Sequence, residues 1–124
     1  MKWVKSSPRL IETFDRILPQ VPGVDRRKMF GYPCGFVNGT WFMGCYQEND
    51  IVLRLSEEDR KEFLKLDQAR QFEPMPGRAM REFVVVPPWL MDDPARLEEW
   101  ISRSLEYAAS LPPPVKKPRK KKPI

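Results

Sequence analysis

The chain has 124 residues, the length of one domain, and its 41% hydrophobic and 31% charged residues exclude a disordered polymer. Cys34 and Cys45 are the only cysteines, too few for a disulfide scaffold. No run reaches the roughly 18 consecutive apolar residues of a membrane span, and Met1 to Lys5 lacks the apolar stretch of a signal peptide, so a cytoplasmic location is expected.

The net charge of +5 is unevenly spread. Lys116, Lys117, Arg119, Lys120, Lys121 and Lys122 place six cations in the last nine residues, and without those six the count falls from +5 to −1 for residues 1–115. The basic character belongs to the tail, and the body is close to neutral.

Ser7-Pro8 opens a first helix, because serine caps free N–H groups and proline fits the first helical position. Leu10, Ile11, Phe14, Ile17 and Leu18 recur on one face of it, and Pro19 and Pro22-Gly23 end it. Gly31, Gly35, Gly39 and Gly44 then disfavour helix, while Phe36, Val37, Trp41 and Phe42 favour strands. Asn38-Gly39 signals a type I′ hairpin turn, which predicts strands at about 29–37 and 40–46. Gln47 to Asp50 makes a second turn, and Ile51 to Leu55 a third strand. Ser56-Glu57-Glu58-Asp59 caps a short helix of roughly 57–66 carrying Phe63 and Leu66. A short strand is expected at Phe72 to Met75 and a buried one at Arg81 to Val86, which Pro87-Pro88 stops. Asp93-Pro94 caps a last helix lined by Leu97, Trp100, Ile101, Leu105 and Ala108. Pro112-Pro113-Pro114 is a stiff spacer, and the lysines after it cannot bury anything.

The expected class is therefore α+β: two layers, an antiparallel sheet of four or five strands with helices on one face, in the order α-β-β-β-α-β(β)-α. A domain over residues 1–110 would be followed by a disordered Pro/Lys-rich basic tail over 111–124.

A two-residue loop at Asn38-Gly39 pairs Val37 with Thr40, Phe36 with Trp41 and Cys34 with Met43. If Tyr46 pairs with Ile51, one face carries Gly31, Gly35, Val37, Phe42, Gly44, Tyr46, Ile51, Leu53 and Leu55, and would meet the helices. The other carries Tyr32, Cys34, Phe36, Trp41, Met43, Cys45, Val52 and Arg54. An apolar free face suggests an interface, so Tyr32, Phe36, Trp41 and Met43 are candidates for a homodimer or partner surface. The alternatives are that the last helix or the tail covers that face, or that a bulge at Gly35 swaps the faces.

Cys34 and Cys45 fall on one face as diagonal neighbours at the limit of disulfide reach, and read as small buried thiols. The chain has no histidine, hence neither the usual general base nor the commonest metal ligand. No phosphate loop, nucleophile elbow or metal-spaced cysteine cluster occurs, so no catalytic, cofactor-binding or metal-ligating residue is expected. Arg26-Arg27-Lys28 is a small basic cluster that is either ordinary surface charge or a nucleic-acid contact. The six tail cations are the clearest functional signal. They suit weak contact with DNA or RNA phosphates, which carries no sequence information. A solubilising tail, or attraction to acidic lipids or proteins, competes with that reading.

Arg27-Lys28-Met29-Phe30-Gly31, then Gly35-Phe36-Val37-Asn38-Gly39, then Trp41-Phe42-Met43 resemble the signature of the TfoX N-terminal domain (TfoX/Sxy family). Ile51 to Leu55, Phe72 to Met80, Phe83 to Pro87 and the helix around Trp100 also match, so the resemblance covers about residues 8–110. It implies a helix, a three-stranded meander and further alternating elements. It also implies regulators of natural competence acting with a cyclic-AMP receptor protein at promoters, and no catalytic residues. The regulators that give the family its name carry a second, helical C-terminal domain, so this sequence reads as a stand-alone N-terminal domain. Tyr32-Pro33-Cys34 also replaces a stretch that is usually richer in glycine.

The expected function is a non-enzymatic interaction module, a transcription or competence-type regulator by resemblance, with weak nucleic-acid contact through the tail. The alternatives are a structural or small-molecule-binding adaptor with a solubilising tail, and an unfamiliar thiol or carboxylate enzyme.

Overall fold

The computed structural model describes residues 4–74, 77 and 80–112. The helix α1 (Pro8–Ile17) starts where the sequence places it, with the Ser7 hydroxyl accepting from the Leu10 N–H at 3.1 Å. Its apolar stripe buries Leu10 and Phe14. Four strands follow: β1 (Val24–Met29), β2 (Tyr32–Val37), β3 (Thr40–Tyr46) and β4 (Asp50–Arg54). After α2 (Glu57–Phe63) come β5 (Arg70–Gln71), β6 (Phe83–Val85), α3 (Pro88–Met91) and α4 (Pro94–Ser110).

All six strands join one antiparallel sheet in the order β1-β2-β3-β4-β6-β5. The α+β class stands, with one strand more than the upper expectation. The added strand is β1, whose residues Asp25 to Lys28 are all exposed. Charged residues belong on an edge strand because they discourage further pairing. That composition reads as loop in the sequence. The expected strand at Phe72–Met75 forms instead at Arg70–Gln71, and Met75 lies outside the described residues.

The register corrects the expected faces. Cys34 pairs with Gly44 and Gly35 with Met43, while Phe36 still pairs with Trp41, so Phe42 is an extra residue in β3. This is a β-bulge beside Gly35 and Phe36. Farther along, Cys45 pairs with Ile51 and Tyr46 with Asp50, not Tyr46 with Ile51. Met43 and Cys45 therefore share a face with Ile51 and Leu53, and Gly44 and Tyr46 turn to the other side. The bulge directs Phe42 and Met43 into one cluster, and both are fully buried. Gly35 makes room for them and for α1: a Cβ there would lie 2.5 Å from Leu18 Cδ1 and 3.2 Å from Met43 Cγ.

The helices cover that bulged face. Leu10 and Phe14 of α1, Phe63 of α2, Leu90 of α3 and Leu97, Trp100, Ile101 and Ala108 of α4 join Phe42, Met43, Leu53 and Val84 in the main core. Phe63 and Trp100 meet edge-to-face at 5.0 Å. The buried Ser104 hydroxyl donates to the Phe42 carbonyl at 2.9 Å, at the point where the extra residue disturbs the ladder. Ser104→Ala leaves that carbonyl without this partner. The expected cost is about 1–3 kcal/mol, read as a lower urea midpoint at unchanged slope.

The other face carries a smaller core of Val52, Phe72, Phe83 and Val85, flanked by Trp41, Tyr46 and Met80. The segment after β5 crosses it: the Phe72 N–H donates to the Phe83 carbonyl at 2.9 Å, and the Tyr46 hydroxyl to the Pro74 carbonyl at 3.2 Å. Among the described residues that face is thus covered near β4 and β6 by this segment, and it is half-exposed at Phe36 and Trp41.

Candidate functional site

The open part of the second face is built from three strands. Phe36 and Trp41 stand opposite each other next to the Asn38-Gly39 turn, which takes φ values of 51° and 83°. Both are half-buried. With Gly39, Thr40, Arg54, Leu111 and Pro112 they line a groove of about 470 Å³. Leu111 and Pro112 follow α4 directly and form one wall of this groove.

Trp41 is held from beneath. Its ring lies 4.1 Å from that of Phe83 at 31°, and its indole N–H donates to the Met43 carbonyl at 2.9 Å. Gly44 permits this: a Cβ there would lie 3.2 Å from Trp41 Nε1 and 2.8 Å from Cys34 Sγ. Arg54 forms the floor. Its Nε donates to Glu82 Oε1 at 2.8 Å and its Nη1 to the Trp41 carbonyl at 3.2 Å, while the Tyr107 hydroxyl donates to Glu82 Oε2 at 2.7 Å.

Burial alone would raise the Glu82 carboxyl, but the hydrogen bonds from Tyr107 and Arg54 and the charges of Arg54 and Arg60 outweigh it. The net result is a value below the ordinary 4.5. Burial first, and then Glu82, push Tyr107 up. A carboxyl lowered on folding adds stability above its unfolded pKa and loses it as pH falls through the folded value. The wild-type stability is expected to decline below pH 4.5 more steeply than that of Glu82→Gln, as measured by urea unfolding across acid pH.

Arg27 overlooks the groove from the edge strand, with its guanidinium carbon 5.3 Å from the Phe36 ring centre. It also reaches Asp25 at 3.4 Å. Arg26 points to the helix side, where it pairs with Asp15. Lys28 is exposed on the same strand. The expected basic cluster is thus divided between the two faces, and only Arg27 joins Phe36.

Of the four residues expected at an interface, Phe36 and Trp41 line the groove and the other two are buried. Met43 sits in the main core, and Tyr32 donates from its hydroxyl to the Val4 carbonyl with its ring 5.6 Å from Tyr46. Lys116, Lys117, Arg119, Lys120, Lys121 and Lys122 lie outside the described residues. Cys34 and Cys45 do not share a face: Cys34 borders Gly44 and Trp41, while Cys45 belongs to the main core. Burial pushes the Cys34 thiol up to about 11 and the Cys45 thiol up to about 12. A thiol so raised is a poor nucleophile at neutral pH.

A family model of the TfoX N-terminal domain matches residues 16–108, three quarters of the chain. The chain belongs to the TfoX N-terminal domain family. No curated protein and no solved structure matches it. The family points to a regulatory, competence-related domain.

Two features of this TfoX N-terminal domain escape a reading of the sequence. Arg54 is expected on this face, but its partner Glu82 reaches it only through the pairing of β4 with β6, which has no local signal. Phe30 occupies the β1–β2 turn at φ 54°, before Gly31 at 83°. The glycine marks such a turn, but a phenylalanine ahead of it hides the signal. A larger cleft of about 660 Å³ between α1 and α3 is lined by Arg9, Glu12, Arg16, Asp50 and Asp92. Its mixed charges favour no polyanion.

Proposed function

We propose that the chain is a non-enzymatic regulatory module that contacts nucleic acid through its basic tail and the groove lined by Leu111 and Pro112. One observation carries the reading: Leu111 and Pro112, close in sequence to the six tail cations, line the groove formed by Phe36, Trp41 and Arg54. The groove beside Arg27 is thus lined by residues that precede the basic segment directly in sequence. The chemistry suits the partner. Lysines release counterions from phosphates, and aromatic and guanidinium groups offer stacking surfaces to bases. The near-neutral body would add little electrostatic affinity of its own.

The test is a titration of the full chain against labelled duplex DNA and single-stranded RNA across a salt series. A variant carrying Lys116→Gln, Lys117→Gln, Arg119→Gln, Lys120→Gln, Lys121→Gln and Lys122→Gln runs beside it. The expected result is weak binding by the wild type, steeply salt-dependent, and loss of most of that dependence in the variant. Equal binding by both, or none by the wild type at low salt, overturns the reading.

A further inference from the structure

The groove at Phe36 and Trp41 offers ring surface more than polar groups. Trp41 is half-buried, and its indole N–H is already given to the Met43 carbonyl at 2.9 Å. The guanidinium of Arg54 is engaged by Glu82 at 2.7 Å and by the Trp41 carbonyl at 3.2 Å. A backbone N–H pressed against such a surface would lose its hydrogen bond to water and gain none, which costs free energy. The chain best suited to lie there is one without N–H groups, and proline is the residue that lacks the donor.

The described chain brings such a segment to the groove. Helix α4 ends at Ser110, and Leu111 leaves it at φ −75° and ψ 148°. A polyproline II helix has φ of about −75° and ψ of about +145°. The Leu111 N–H closes the helix by donating to the Ala108 carbonyl at 3.2 Å. Leu111 is half-buried in the groove wall, with Pro112 beside it. Its conformation has a local cause, because proline drives the residue before it into extended backbone. The same rule acts on Pro112 and Pro113, since each precedes a further proline. Pro113, Pro114 and Val115 keep the sequence apolar until Lys116. Prolines also have little conformational freedom to lose on docking. Pro112 to Pro114 reach about 9 Å at roughly 3.1 Å per residue, enough to cover both rings.

We propose that Pro113, Pro114 and Val115, which lie outside the described residues, continue Leu111 and Pro112 as a polyproline II strap seated on Phe36 and Trp41. A proline run on an aromatic groove is a recurring mode of peptide recognition, closed here within one chain. The occupant is this chain's own segment because Leu111 already enters the groove in the required conformation. The inference concerns the free chain and goes beyond the nucleic-acid reading without depending on it. Its consequence for that reading is regulatory: bases reach the two rings when the strap lifts.

The experiment is NMR of the full chain at two protein concentrations and two salt concentrations. A full chain carrying Pro113→Ser and Pro114→Ser, which leave the charge unchanged, runs beside it. The wild type is expected to show nuclear Overhauser contacts from the Pro113 and Pro114 rings to those of Phe36 and Trp41, the same under all four conditions. The double variant is expected to lose them and to move the Trp41 indole signal and the Gly39 and Thr40 N–H signals, while the signals of α1 stay in place. Absence of the contacts in the wild type overturns the strap, and so do identical Gly39, Thr40 and Trp41 signals in the two chains. Contacts that fade on dilution assign the groove to the proline segment of a second copy. Contacts that fade with salt assign the hold to the lysines. Either result overturns an apolar strap within one chain. The salt-series titration reads Lys116 to Lys122 instead, so the strap and the nucleic-acid reading can each fail alone.

Discussion

Phe42→Ala is expected to lower the unfolding free energy by about 3–5 kcal/mol, a large share of the roughly 5–15 kcal/mol of a whole domain. Phe42 has 0% of its surface exposed and sits at the bulge. Its ring lies between Gly35 of β2 and the helix layer, and its carbonyl is anchored by Ser104 of α4. The cavity left behind could not close easily. The surrounding strands are fixed by the ladder, and α4 packs across β2, β3 and β4 at once. Phe36→Ala is the internal contrast. Phe36 lies one step along the neighbouring strand but is half-buried on the other face, so the expected loss is about 1 kcal/mol, the ordinary scale of a partial burial. Urea unfolding of the two variants at equal slope decides the matter. Equal losses would overturn the placement of the two rings on opposite faces of the sheet, Phe42 in the main core and Phe36 at the half-open groove.

That contrast also explains what was legible in the sequence. Ser7-Pro8, Ser56 and Asp93-Pro94 act as local caps, and each starts a helix where the pattern places it. Asn38-Gly39 forms its turn for the same reason: the conformational preference resides in the two residues themselves. The bulge has no such local cause. It follows from the need to fit Phe42 and Met43 together beneath α1 and α4, and it moves Met43, Gly44, Cys45 and Tyr46 to the opposite faces from those that simple alternation assigns. The interface candidates divide accordingly. Phe36 and Trp41 lie before the bulge on the open face, and Met43 lies after it in the core. Strand β1 was hidden for a different reason, because Asp25, Arg26, Arg27 and Lys28 serve an edge that must resist further pairing. The meeting of the groove with Leu111 and Pro112 was beyond reach, since it depends on where a 17-residue helix ends above the sheet.

Removing the six tail charges is expected to weaken binding to duplex DNA by roughly a thousandfold at low salt and to reduce the magnitude of the log–log salt slope by about 5. Each phosphate contact contributes about −0.9 to the slope for a duplex and about −0.7 for a single strand. The residual slope is assigned to the fold itself. Arg26 is engaged by Asp15, and Arg54 by Glu82, so neither is free to release a counterion without first breaking an ion pair. Arg27 has only a long contact to Asp25, with both side chains well exposed, and such a pair is worth little in water. Arg27→Ala with Lys28→Ala in the otherwise intact chain should therefore reduce the slope by about 1 to 2. The same pair of substitutions made on the tail-neutralised background should abolish what binding remains. Equal slopes for the intact and tail-neutralised chains would place the phosphate contacts on the folded domain. The near-neutral charge of residues 1–115 argues against that outcome.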